Sequence, residues 1–454
     1  MPKNNNEKRW NILFFYWFCH ALVGGSARVI FESNLPNIIH NTNEYRDFTQ
    51  ADVPILLSIG TLVTIVAKFS SGLFIGALGP YGIGVGSLFA CGMIIMSCGI
   101  ITSNNTPLLS IFLGWYLMRF FQSATWPAAN VLFDAWFPTN EHGRAWGVMS
   151  TASRTGVMLV SFTIAYLSTS TTIQLNFLGC GIFLCLYGII LSFNLKNEPP
   201  PPTEEEDTGN DNKIENKSSS KNTEKKESIH NVEKKSFWNE LFDCTIFEPT
   251  FYFAALVQAS TTPIAEFQSQ VPIWLSMDKT LTQTHVSIGV SAWHAGILCS
   301  VSIFGMLFDK VKSYTHKGFL LAIPMLCNYI LFSIVLSDFN VEDQIIVGPK
   351  MKIGVAFLLG FTLAPAFYLC MGTWTMKHAT RRVMATSNSF VDVFGYGGSV
   401  LVLYLQQSKD SSNPMKELIR IFTYCSLLCS IALLILFVYF EEHYHKTTGK
   451  AKED

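Results

Sequence analysis

Charge is what this sequence has least of. Of its 454 residues only 14% are Asp, Glu, Lys or Arg, against about 25% in an ordinary soluble domain. That deficit argues against a large water-solvated enzyme core. The net charge of -1 leaves no basic surface with which to hold a nucleic acid. Also missing are a His/Asp/Glu metal set, a nucleophile elbow and a phosphate-binding glycine loop, so no enzymatic activity, metal or cofactor is expected. The 11 cysteines contain no CxxC pair or Cys/His cluster. Cys91, Cys98, Cys180, Cys299, Cys370 and Cys425 fall inside apolar runs and read as small buried hydrophobes.

What the chain has instead is apolar length: 49% hydrophobic residues, with 36 Phe and 10 Trp. A helix needs about 20 apolar residues to cross a hydrocarbon core about 30 Å thick. Twelve such runs occur, at 10–39, 52–78, 80–102, 108–133, 145–168, 173–194, 248–277, 285–308, 317–337, 351–376, 383–407 and 417–440. The first is too long for a cleavable signal and lacks a small-residue cleavage site, so it is expected to stay in the mature chain. Lys and Arg gather in the loops on the side of the two termini, which places both termini in the cytosol. The reading is an all-α, multi-pass membrane protein: a six-helix bundle (1–194), a disordered cytosolic linker (195–247), a second six-helix bundle (248–441) and a cytosolic tail (442–454). A monomer is expected. From Pro199 the linker is a mixture of Glu, Lys, Asn and Ser that cannot bury a core; it reads as a tether, with a regulatory segment as the alternative.

Landmarks recur between the halves. Gly72 and Gly76 after the second run are matched by Gly305 and Asp309 after the eighth, and Trp136 with Arg144 recurs as Trp374 with Arg382.

Gly305-Met-Leu-Phe-Asp309-Lys310 resembles the G-x-x-x-D-[RK] loop motif of the major facilitator superfamily, and Arg119-Phe-Phe-Gln122 is similar to the R-x-x-Q opening of its fourth-helix motif. Within that superfamily the chain most resembles the organophosphate:phosphate antiporters, the group of the glycerol-3-phosphate transporter and the sugar-phosphate exchangers. The stretches that carry this likeness are Arg28 eight residues before Pro36, Ala67-Lys68-Phe69 followed by Gly72, Phe121-Gln122 with Trp126-Pro127, Glu141 with Gly143, and Phe394-Gly395-Tyr396-Gly397-Gly398. The resemblance implies a solute bound between two bundles and exposed alternately to each side, with Arg28 and Lys68 facing the central cavity. The sequence departs from the family at three points. Ile264 stands where a second clamp Arg is common, Ser153 where the bacterial relative has a His, and Gly76-Ala77 where the first-half loop motif has Asp-Arg.

An ionisable residue in a membrane helix costs about 2.5–3.5 kcal/mol on insertion scales, which marks it as a functional candidate. Arg28, Lys68, Arg119 and Arg154 qualify. Arg28 lies about 27 Å from the inner start of its helix and Lys68 about 24 Å from the outer start of the next, depths compatible with one anion site. Arg28 offers a planar fork for phosphate or carboxylate, or a pair with Glu32. Lys68 adds a point charge, or snorkels. Arg154, beside Ser153, lines an inward-facing cavity and replaces the missing clamp Arg, or pairs with Asp134 or Asp392. Gln268 is a further binding candidate. Glu266, Asp392 and Arg119 are candidates for coupling, and Asp309, Lys310 and Arg382 for a gate between helices.

These residues lead to a secondary transporter of a small organic anion, a sugar phosphate or related organophosphate exchanged for phosphate. A proton-coupled carrier of another small polar solute is the alternative, and a non-transporting receptor or scaffold a third. Solute, coupling ion and the membrane that houses the protein stay open at this level.

Overall fold

The computed structural model describes residues 3–27, 30–31, 53–101, 108–138, 141–167, 173–197, 236–278, 281, 283–339, 348–380, 382–407 and 414–441. Residues 198–235 of the predicted linker and the tail after 441 lie outside them, as does Arg28. All regular structure among the described residues is helical.

Helix α1 (Lys3–His20) runs into a π-helical turn, Ala21–Ser26. Helix α2 (Val53–Ile101) is two limbs joined at Gly79, whose φ of 67° and ψ of 172° leave the helical region just before Pro80. The positive φ suits glycine, and Asn197 closes the corner by accepting from the Tyr81 amide at 2.7 Å. The first half continues with α3 (Leu108–Gln122), α4 (Thr125–Trp136), α5 (His142–Ser150), α6 (Ala152–Leu167) and α7 (Ile173–Asn194). A short helix α8 (Phe237–Cys244) precedes α9 (Pro249–Glu266), a 3₁₀ turn (Phe267–Ser269) and α10 (Val271–Ser276). Then come α11 (Gln283–Lys310), α12 (Tyr314–Asp338), α13 (Pro349–His378), α14 (Met384–Gln407) and α15 (Pro414–Leu434).

Six described helices are long and apolar enough to cross a membrane. Their outward faces show why the composition carries so little charge. On α7, Phe183, Leu186, Ile190 and Phe193 form one exposed stripe, with Phe193 81% exposed, while Leu184, Tyr187 and Leu191 on the other face are buried. Such a stripe is unfavourable in water and neutral in lipid.

α8 corrects the sequence reading, because it lies inside the stretch 195–247 assigned to disorder. Phe237, Leu241 and Cys244 share a face at helical spacing, and Leu241 packs fully buried against Ala379, Val383 and Met384. Polar neighbours in the sequence concealed this apolar face.

Within the first half α2 packs on α3 and α7, and in the second α11 packs on α13, and α12 on α15. The halves meet chiefly where α14 crosses α2 and where α11 crosses α5.

Candidate functional site

A cavity of about 260 Å³ opens between the halves. The first half lines it with residues of α1, α2, α3, α4 and α6, the second with residues of α9, α11, α13, α14 and the 3₁₀ turn. Its size is just under the range of about 300–1,000 Å³ for small-molecule sites, so a solute of metabolite size fits.

At its centre Lys68 Nζ stands 2.6 Å from Asp392 Oδ2, with side chains only 6% and 5% exposed. α2 carries the ammonium and α14 the carboxylate, so the pair joins the two halves. Gln258 Nε2 of α9 donates to the other carboxylate oxygen at 3.3 Å. Burial without partners would cost several kcal/mol per ion; the pairing and the amide offset that cost.

Arg154 forms a second bridge across the cavity. Its Nε donates to the Tyr368 hydroxyl of α13 at 3.0 Å, and its Nη1 donates to Gln268 Oε1 in the 3₁₀ turn. Asp134 and Asp392, its partners in the bland reading, are not the groups it meets. Ser153, Gln268, Glu266 and Arg119 all line the cavity as well. The Arg119 guanidinium lies 5.7 Å from the centre of the Trp115 ring, a cation–π distance. Ile264 is fully buried in the core. Thus Lys68, Arg154, Ser153, Gln268, Glu266, Asp392 and Arg119 converge on one site.

Sequence reading missed His20 and Gln258. His20 is 7% exposed, lines the cavity, and its Nδ1 meets Thr125 Oγ1 at 2.9 Å. An ionisable group inside the first apolar run was the available signal. The π-helical turn that follows His20 is a feature often found at functional sites. Gly24 O in that turn accepts from Gln122 Nε2 at 2.9 Å. Gly25 and Gly156 allow α1 and α6 to touch backbone to backbone, since a Cβ on either would strike Ser153 O or Ala21 O.

At one end of α11 the two halves are joined. Asp309, at the end of α11, accepts from the Gly143 and Arg144 amides at 2.8 and 2.7 Å. A carboxylate there satisfies donors that a helix start leaves open and complements its dipole. Gly147 and Gly305 let α5 and α11 cross closely; a Cβ on Gly147 would lie 2.9 Å from Val301 O. On the other crossing a Cβ on Gly72 would sit 2.5 Å from Thr386 Cα. The same end holds the start of α1, tied by Arg9 to Glu141 at 3.0 Å. Lys310 is exposed. Arg382 faces Glu240 of α8 at 3.7 Å and the Phe237 ring, within its own half.

Comparison with known proteins matches this architecture. Among curated proteins no sequence match is found. A bacterial homologue of the iron transporter ferroportin, solved in an outward-facing state, superposes with a TM-score of 0.66 at 11% identity, covering 94% of this chain and 99% of that one. A proton:xylose symporter bound to 6-bromo-6-deoxy-D-glucose gives a TM-score of 0.68 at 12% identity, with 96% of each chain covered. These likenesses establish the fold. Residues 9–403 match the Major Facilitator Superfamily, and the chain therefore belongs to that superfamily of membrane transporters.

Proposed function

We propose that this transporter carries a small organic anion, a sugar phosphate or related organophosphate, by alternating access through twelve membrane crossings. In this reading residues 1–194 and 248–441 are the two moving units, and both termini face the cytosol. The observation that carries it is the charge of the cavity wall. Among the described lining residues Lys68, Arg119 and Arg154 oppose Glu266 and Asp392. The excess is cationic, and the cavity is walled by apolar helices in which a charge interaction is weakly screened. A phosphate or carboxylate is then received by Arg154, whose fork suits such groups, and competes with Asp392 for Lys68. Arg28, outside the described residues, belongs to the proposal through the family likeness alone.

Purified protein in proteoliposomes preloaded with phosphate should take up labelled sugar phosphate, and Lys68→Met and Arg154→Ala should each remove that uptake. Uptake unchanged in both variants would refute the site. A second reading has its own support: Asp392 and Glu266 are acids inside the cavity, and proton binding to Asp392 would release Lys68. A proton-coupled carrier would then show uptake driven by a pH gradient with no need for a counter-anion.

A further inference from the structure

Three hydrogen-bond acceptors on the cavity wall have their orientation fixed by the groups behind them. Gln122 donates through Nε2 to the Gly24 carbonyl, and a carbonyl can only accept, so its Oε1 is the remaining acceptor. That oxygen is buried and makes no hydrogen bond among the described residues. Gln258, 5% exposed, donates through Nε2 to the Asp392 carboxylate; its Oε1 is likewise buried and unpaired. His20 is settled by Thr125. The Thr125 hydroxyl has one proton, which it donates to the Gln122 carbonyl at 2.9 Å. Its Oγ1 must therefore accept from His20 Nδ1–H, which leaves Nε2 as the acceptor of the neutral ring.

We propose that His20 Nε2, Gln122 Oε1 and Gln258 Oε1 read hydroxyl groups, so that the solute is a polyhydroxylated anion rather than a bare phosphate or an alkyl phosphate. Gln122 Oε1 and Gln258 Oε1 are buried acceptors left without donors, which is costly; a solute rich in O–H groups supplies the donors, and His20 Nε2 is a third acceptor on the same wall. An ammonium could also donate, but Lys68, Arg119 and Arg154 outnumber Glu266 and Asp392 on the same cavity wall, so the net charge there disfavours it. The hydroxyl assignment stands on the acceptors; the charge assignment rests on the anion reading above.

Binding of glycerol phosphate, propyl phosphate and glycerol to the purified full-length protein, by titration calorimetry, separates the two. A site built to bond a hydroxyl rejects the analogue lacking it by up to about 10⁴-fold. Glycerol phosphate is expected to bind at least about a hundredfold more tightly than propyl phosphate, and His20→Phe or Gln122→Met to shrink that ratio at least about tenfold. Glycerol binding without either phosphate, lost in the same variants, would sink the anion reading and support the acceptors. Equal affinity for the two phosphates, or a ratio that ignores both substitutions, overturns the proposal. If the variants fail to fold, the ratio measured on the unmodified protein decides.

Discussion

Replacing Asp392 by Asn keeps the shape of the Lys68 site and removes one charge. In the unperturbed protein Lys68 Nζ and Asp392 Oδ2 are 2.6 Å apart and almost wholly buried. Taking one partner from a buried pair costs about 3–5 kcal/mol, because the other charge stays in the protein without compensation. The substituted protein should therefore be less stable when empty. An anionic solute would gain what the carboxylate gave up. In the native cavity it must displace Asp392 from Lys68, and a hydrogen bond to a charged group is worth about 1.5–3 kcal/mol. At 1.4 kcal/mol per tenfold, Asp392→Asn should bind the anion about 10- to 100-fold more tightly. Titration calorimetry with a sugar phosphate measures the affinity, and thermal unfolding with and without that solute measures the rescue. Weaker or unchanged affinity in Asp392→Asn would refute the competition, because Lys68 would then not receive the solute. Adding Lys68→Met to Asp392→Asn should restore the empty protein's stability and lose the affinity gain, since the pair acts as a unit.

Asp309→Asn should loosen the α5–α11 contact, since a neutral side chain gives up a charge–dipole contact worth about 0.3–2 kcal/mol at the start of α5. Accessibility of a cysteine placed at Val301, which is buried at that crossing, to a membrane-impermeant thiol reagent, in a background lacking the native cysteines, should rise; unchanged labelling would show that Asp309 does not hold the α5–α11 contact together. Gly79→Ala should destabilise the protein by about 1–3 kcal/mol from the backbone alone, because its φ of 67° and ψ of 172° fall in a region open essentially to glycine. A Cβ there would also lie 2.7 Å from Asn197 Nδ2. Thermal unfolding tests it, and an unshifted transition would contradict the corner geometry.

Much of this architecture was legible because lipid imposes a simple rule on sequence. Apolar runs long enough to span a membrane had to be helices, and the motif from Gly305 to Lys310 marked one helix end as a candidate gate. Lys68 and Arg154 stood out because a charge in such a run needs a reason. Their partners did not. Lys68 and Asp392 are 324 positions apart, and nothing local in either helix signals that they meet. Arg154 was offered two acids and met Tyr368 and Gln268, because the direction of a side chain across an interface depends on how helices rotate against one another. α8 escaped notice because one buried face, at Leu241, is diluted by polar neighbours on the others. His20 escaped because it sits among aromatic residues with no motif around it, and Thr125, which fixes its tautomer, lies on a different helix.

The central proposal is that a basic cavity between the halves carries a phosphate-bearing solute, as the family likeness implies, in exchange for another anion. Counterflow in proteoliposomes tests it most directly: labelled sugar phosphate outside, with phosphate, sugar phosphate or neither inside, at matched pH. Uptake that requires an internal anion and disappears in Arg154→Ala is the predicted result. Uptake that ignores the internal anion and follows an imposed pH gradient would contradict exchange and favour proton coupling.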